Sequence, residues 1–584
     1  MTTNREYLSE SREVVLDWPY KDCVLEGGQT KEDQKRSEIF WNQTLAADEI
    51  DRLLEPKVLT NFEKYTKDGE QAVSTVSIDD NLIIKGNNLL ALHSLKQQYG
   101  GKVKLIYIDP PYNTGNDSFG YNDSFNHSTW LTFMKNRLEV ARELLHDDGV
   151  IFVQCDDNEQ AYLQLLLNDI FKNNYLNTVI VKAKSSSGAS GGGEDKKLKK
   201  NTEYIHIYHK NSFSLFKEIH IKKRLDKYID NLKEDEKSFA YKSVLVNQGD
   251  SEYVDSIKDG RGEEIKIYKH KNYEIKSISK ISKEEKIDEY KVYKKYIDLV
   301  FTTENAQTSI RDRVFKAVGN DGCLYSAEYL PISGRNKGDL TKLMFIGNKK
   351  RLISFLKNTC EIKNKEIFKQ LKIGTLWDDM SWSSVFNEGC VTFTGGKKPE
   401  KLIQRILEMA TKTGDIFLDY HLGSGTTCAV AHKMGRRYIG IEQMDYIQDI
   451  ACKRLKKVIS GEQGGISKTV NWQGGGEFIY CELAEHNAKI ITAIEQATTS
   501  EQLQKLWRQI QNSDFISYQV KPQSINANIT EFSALNIDEQ KQLLIALLDK
   551  NQLYVNYADI DDLDYQISSE DKKLNHQFYG KPSW

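Results

Sequence analysis

"DIFLDYHLGSGTTCAVAHKMGRRYIGIE", Asp415 to Glu442, carries a β-branched run ending in Asp419, a glycine turn, a helical stretch and a second β-branched run ending in an acid. Gly423 and Gly425 permit a tight turn that a ligand can approach closely, because neither carries a Cβ. A glycine pair alone would report only a turn. Strand, glycine turn, helix, strand and carboxylate in series say more. Glu442 lies a little over twenty residues past Asp419, where a carboxylate suits the two hydroxyls of a ribose. A dinucleotide fingerprint would place a third glycine against the pyrophosphate, but Thr426, Thr427 and Cys428 follow Gly425. The stretch therefore predicts an adenosyl ligand without pyrophosphate.

Moving outward, "LIIKG", "VKLIYID", "GVIFVQC" and "LNTVIVKA" are strand-sized runs, separated by the helical spacing of "NNLLALHSLKQQY", "STWLTFMKNRLEVARELL" and "NEQAYLQLLLNDIF". Such alternation predicts a mostly parallel α/β sheet, whose ligands bind at the carboxyl ends of the strands. One of those ends is "DPPY", Asp109 to Tyr112. Two prolines stop the strand and supply no N–H, so an Asp109 oxygen and the Pro110 carbonyl are left as adjacent acceptors. Two acceptors match an amino group with two N–H donors, and Tyr112 adds an aromatic face for a base. The plainer alternative is a strand terminator with a capping acid.

The chain has 584 residues, 39% hydrophobic and 28% charged, which predicts several globular domains. No run reaches membrane-spanning length, and the start "MTTNREYLSESREVV" lacks a signal-peptide layout, so a cytoplasmic protein is expected. Eight scattered cysteines, with no Cys-x-x-Cys pair, argue against structural zinc or a disulfide framework. A formal net charge of −3 gives no global case for nucleic acid, so any basic face must be local. Residues 1–77 read as a polar, helical accessory region in which "LAADEIDRLLEP" is an amphipathic helix. Residues 78–210 carry the Asp-Pro-Pro-Tyr half of the α/β domain and 372–484 the glycine-loop half. Between them, 211–371 reads as an insert rich in lysine and tyrosine, and 485–584 as a separate C-terminal unit. A Ser/Gly-rich loop, Lys184 to Asn201, carries "KKLKK" as a candidate contact to a nucleic-acid backbone. Arg436 and Arg437 are expected to cap the preceding helix, and His421 to be a wall of the cofactor site.

"DPPYNTG" together with "LGSGTT" resembles the amino-methyltransferases of DNA that use S-adenosylmethionine (SAM), in the circularly permuted order of their beta class. "KLIYIDPPYNTGNDSFGYND", "RLEVARELLHDDGVIFVQCDDNE", "KNTEYIHIYHK" and "DKKLNHQFYG" are similar to the modification subunits of type III restriction-modification systems. That resemblance implies a Rossmann-like mixed sheet, with the insert as target-recognition domain and smaller terminal regions. It implies methyl transfer from SAM, with no metal needed, to N6 of an adenine flipped from double-stranded DNA. Asp109, Pro110 and Tyr112 would hold the base, with Pro111 fixing the turn. Asp419, Gly423, Gly425 and Thr426 would contact the methionine part of SAM and Glu442 its ribose. Asn87 would lie near the cofactor adenine, where the family often has Asp, and Lys398 and Pro399 would close over the methionine. The family also implies a homodimer, joined by a helicase-nuclease restriction subunit. The terminal regions are candidate surfaces for those contacts.

The absence of a Pro-Cys dipeptide excludes cytosine C5 chemistry. N4-cytosine methylation would use the same pocket, but Asp rather than Ser before Pro-Pro favours adenine. A nicotinamide oxidoreductase loses on the missing third glycine. A recognition scaffold without catalysis would leave the cofactor loop unexplained. No phosphate-binding ATPase motif and no nuclease centre can be recognised, so cleavage would require another polypeptide.

Overall fold

The computed structural model describes residues 52–580 and two short strands, Cys23–Leu25 and Phe40–Asn42. Within 52–580, the description omits 116–122, 124, 126, 184–197, 199, 213–216, 259–261, 306–308, 332–337, 383–384, 394–395, 512–515, 517–528 and 550–551. The chain divides into two compact units, residues 1–217 with 374–584, and residues 218–373.

The first unit is built on an eleven-stranded sheet. In chain order its strands are β1 (Leu59–Thr66), β2 (Gly69–Ala72), β3 (Leu82–Lys85), β4 (Val103–Ile108), β5 (Leu145–Cys155), β6 (Tyr175–Lys182), β7 (Thr202–His209), β8 (Leu376–Trp377), β9 (Ile416–Asp419), β10 (Arg437–Glu442) and β11 (Phe478–Leu483). Their spatial order is β8-β6-β7-β5-β4-β9-β10-β3-β11-β1-β2. The six central strands from β5 to β11 run parallel. Their apolar residues are buried almost without interruption, as both-face burial demands: every β9 residue and five of the six β10 residues are buried. Helices α1 (Asn88–Tyr99), α2 (His127–Leu144), α3 (Gln160–Ile170), α4 (Glu400–Ala410) and α5 (Thr426–Lys433) belong to the crossovers.

β4 and β9 are hydrogen-bonded neighbours, with Leu105 opposite Phe417 and Ile106 opposite Leu418. Segments some three hundred residues apart in the chain thus end side by side at one edge of the sheet. That edge holds both sequence-predicted loops.

The N-terminal region departs from the helical expectation, since β1 extends the sheet antiparallel to β11 and β2 antiparallel to β1. Their sequence hides this. Only Leu59 and Tyr65 of β1 are buried and β2 is fully exposed, so neither has the apolar alternation of a covered strand. The amphipathic helix read over "LAADEIDRLLEP" lies mostly outside the described residues. Of "KKLKK", Lys196, Lys197 and Lys199 lie outside them, while Lys200 meets Asp157 at 2.7 Å.

The C-terminal stretch, read as a unit of its own from Glu485, shares the core of the first unit. Tyr554, Val555, Ile560 and Phe578 join the cluster that contains β3 and β4. Helix α6 (Ser569–Tyr579) presents Asn575, which accepts from Leu59 N–H at 2.8 Å and donates to Leu59 C=O at 2.6 Å, as a neighbouring strand would. Helices Asn487–Gln496, Ser500–Ile510 and Ile537–Leu547 form a satellite core around Leu503, Trp507 and Leu544.

The second unit, Glu218–Ile373, contains an eight-stranded and a three-stranded sheet, both antiparallel throughout. Its strand Asp250–Lys258 pairs on one side only and is exposed along nearly its whole length, Tyr253 included.

Replacing Asn575 by Ala removes the partners of a buried N–H and a buried C=O, both of Leu59. We expect it to destabilise the first unit by about 2–4 kcal/mol. A lower urea midpoint for the transition of this unit checks it.

Candidate active site

Parallel strands end together, and the loops that follow β4, β9 and β10 line one cavity, as expected at the carboxyl ends of such strands. Asp109 and Pro111 come from the β4 loop, Asp419, His421, Gly423, Ser424 and Thr426 from the β9 loop, and Glu442 and Met444 from the end of β10. Phe393 and Lys398 close another side, with the Phe393 ring 5.4 Å edge-on from Tyr446.

The glycine loop is held by two buried carboxylates. Asp419 accepts from the His421 N–H at 2.9 Å and from the Thr427 hydroxyl at 2.6 Å. Burial pushes its carboxyl up to about 7 despite these donors. Glu442 accepts from the N–H groups of Gly423 at 2.8 Å and Met444 at 3.0 Å, while burial raises its pKa too. Gly425 has φ of +72°, and a Cβ there would stand 3.1 Å from Ala451, so glycine is needed for both backbone angle and space.

On the β4 side, the Tyr112 hydroxyl donates to Asp109 Oδ1 at 2.5 Å, and Lys398 Nζ donates to Asp109 Oδ2 at 2.5 Å. The Trp130 indole donates to Pro111 C=O at 2.9 Å, pinning the Pro-Pro turn to α2. Burial pushes the Asp109 carboxyl up, against the pull of Lys398. Burial would lower the Lys398 ammonium, but Asp109 and Glu203 outweigh it and hold it above its ordinary value.

Of the sequence-predicted residues, Asp109, Pro111, Lys398, Asp419, Gly423, Thr426 and Glu442 line the cavity. Pro110, Tyr112, Pro399 and Gly425 adjoin these in the chain. Asn87 does not line it. Its Oδ1 accepts from Leu89 and Leu90 N–H at 3.0 and 3.4 Å as the N-cap of α1, a local task that competes with ligand contact. Arg436 donates to the Met434 carbonyl at 2.6 Å at the end of α5, whereas Arg437 pairs with Asp79 at 2.5 Å.

A family model for DNA methylases matches residues 103–453. The chain is 44% identical, over 99% of its length and 86% of the relative's, to the probable type III restriction-modification enzyme HindVI Mod subunit of Haemophilus influenzae. The chain belongs to the Mod subunits of type III restriction-modification enzymes, within the DNA methylase family. It is 36% identical to the EcoPI Mod subunit of Escherichia phage P1 over 27% of this chain and 28% of that one. It is 34% identical to the EcoP15I Mod subunit of Escherichia coli over 28% of this chain and 29% of that one.

Two features of this DNA methyltransferase escape motif reading. Glu203, at the start of β7, accepts from Tyr112 OH at 3.0 Å and from the Gln154 amide at 2.5 Å. The clue is topological: β7 runs antiparallel to β5, so it starts where the parallel strands end. Behind the glycine loop, Glu400 is fully buried and accepts from Lys433 and from Arg454, each at 2.8 Å. Arg454 also donates to the Thr426 hydroxyl at 2.6 Å. Burial would raise the Glu400 carboxyl, yet Arg454 and Lys433 outweigh it and hold it low. Lys433 pairs with Glu462 as well, and so many buried charges look improbable in a sequence, because their pairing is visible only in space.

Glu400→Gln would strip a charge from beneath two buried cations. A loss of about 3–5 kcal/mol is expected, read as a lower unfolding midpoint. Asp419 gives a pH test. Its folded pKa lies above the ordinary carboxyl value, so stability associated with it is complete below about pH 4 and is lost as pH rises through 7. Asp419→Asn should therefore gain on the wild type by roughly 2–4 kcal/mol between pH 4 and 8 in paired denaturation curves.

Proposed function

We propose that this enzyme flips a target adenine out of duplex DNA into the cavity between the β4 and β9 loops, where Asp109 and the Pro110 carbonyl hold its N6 amino group. The carrying observation is that Asp109 and the Asp419–Glu442 loop, from adjacent parallel strands, line one cavity. The donor is SAM, and the residues present fit it. Glu442 is a buried carboxylate suited to ribose hydroxyls, the Gly423–Gly425 turn leaves room for close backbone approach, and Lys398 and Phe393 close the methionine side. When bound, SAM supplies an electrophilic methyl group.

The chain's own residues orient the nucleophile. Two acceptors on the amino hydrogens localise the nitrogen lone pair toward the cavity, and Tyr112 and the Pro-Pro turn keep the base from tilting. Partial burial of Asp109 limits the water that would compete for those hydrogens. No strong base is required, because the nitrogen becomes acidic once alkylated, and Asp109 stands beside it to take the proton.

On this reading the insert, residues 211–371, recognises the target sequence. Interleaved lysines and tyrosines such as Lys266, Tyr268 and Lys269 support it, since these types suit phosphate contact and base stacking. The protein works in the cytoplasm on chromosomal or invading DNA, as a homodimer that joins a restriction subunit for cleavage. Residues 1–77 and 485–584 are the regions proposed for those contacts, through the parts of them that do not join the core.

Sequencing with modified-base detection, on DNA from cells with and without the gene, is expected to find N6-methyladenine at one short motif. Asp109→Ala should lower methyl incorporation at least about a hundredfold while SAM binding persists. N4-methylcytosine in place of N6-methyladenine, or an Asp109→Ala enzyme at full rate, would sink the reading.

A further inference from the structure

The amine clamp meets an obstacle in the free protein. Both Asp109 oxygens are already engaged, Oδ1 by the Tyr112 hydroxyl and Oδ2 by Lys398. Each oxygen keeps a second lone pair for a target amine, but a carboxylate whose charge is already matched by a lysine is a weak acceptor, and it regains strength only when that donor turns to another acceptor. The structure holds one in reach of both. Glu203 Oε2 lies 3.0 Å from the Tyr112 hydroxyl and 3.8 Å from Lys398 Nζ. A hydroxyl has one proton, so Tyr112 donates to one carboxylate at a time or divides a single proton between them. Glu203 is itself anchored, because the Gln154 amide donates to the same oxygen and the Tyr107 hydroxyl donates to Gln154 Oε1 at 2.6 Å.

We propose that Glu203 is a positioning residue of methyl transfer, the alternative acceptor that takes the Tyr112 hydroxyl and the Lys398 ammonium away from Asp109 when the target amine arrives. This rests on the reading of Asp109 as the amine clamp. Lys398 is then a latch: on Asp109 it keeps the empty carboxylate neutralised, and on Glu203 it leaves Asp109 a charged and stronger acceptor for the amine. Rotation of one lysine side chain across the Tyr112 ring, whose centroid lies 5.1 Å from Nζ, is the movement required. Glutamine at 203 could still accept a hydrogen bond but would not draw a cation from Asp109.

The test uses the full-length protein without SAM, in equilibrium binding to two duplexes that carry either adenine or purine, which lacks the amino group, at the methylated position, each opposite an abasic site so that the pairing lost with the amino group does not bias extrusion. The wild type should prefer the adenine duplex by roughly tenfold, the worth of one charge-assisted bond. Glu203→Gln should lose that preference, and adding Lys398→Met should restore it, because with the latch removed no alternative acceptor is needed. A Glu203→Gln protein that keeps the wild-type preference overturns the proposal. Should Glu203→Gln fail to fold, Lys398→Met alone decides, since the proposal requires an equal or stronger preference and a weaker one overturns it. A wild type that neither discriminates the duplexes nor methylates adenine sinks the clamp reading itself, an outcome distinct from failure of Glu203 alone.

Discussion

Hydrogen bonding between β4 and β9 is the constraint on which the rest depends. Two parallel strands, paired through Leu105 with Phe417 and Ile106 with Leu418, deliver Asp109 and Asp419 to the same edge of one sheet. Parallel strands cannot be joined by a short turn, so the chain between them is long by necessity. Here that connection contains a whole second folding unit. The catalytic unit tolerates the insert because the register of β4 on β9 is enforced by burial on both faces, and a slip of one residue would turn charged ends into the core.

The same sheet edge concentrates carboxylates. Asp109, Asp419 and Glu442 are all raised by burial, and each is balanced differently: Asp109 by a lysine and a tyrosine, Asp419 by a hydroxyl and a peptide N–H, Glu442 by peptide N–H groups. Peptide donors cannot move away, so they hold the β9–β10 side of the cavity rigid. Lys398 and Tyr112 are side chains with a second acceptor in reach, and the β4 side is thereby adjustable. Behind both, Glu400, Lys433 and Arg454 tie α4, α5 and the segment at Arg454 together through charge, with Arg454 reaching the Thr426 hydroxyl of the cavity wall. Ions buried this deeply are costly unless paired. Their pairing makes the position of the glycine loop conditional on the packing of all three segments.

Several expectations rested on local rules and failed where tertiary context took over. Leu59–Thr66 lacks apolar alternation and still forms a strand, since β11 supplies its hydrogen bonds and Asn575 completes them at Leu59. Asn87, which the resemblance puts near the cofactor adenine, also caps a helix, since Leu89 and Leu90 N–H donate to its side-chain oxygen. The C-terminal stretch has the polarity of a separate module. Its buried face is carried by a few well-spaced residues, Tyr554, Ile560, Phe578 and Tyr579, too sparse to read as a core contribution in one dimension.

From the sequence alone came the chemistry. Asp-Pro-Pro-Tyr, the Gly423–Gly425 turn and Glu442 are determined by local sterics and hydrogen-bonding capacity, which depend only on residue type and spacing, and the alternation of strands and helices sets the α/β class for the same reason. Only the tertiary structure decided which groups meet. Glu203, Lys398 and Asp109 are distant in the chain, as are Glu400, Lys433 and Arg454, and no periodicity links them. Coulombic attraction and desolvation act through space, so partners of a buried charge are chosen by the fold and not by their order along the chain.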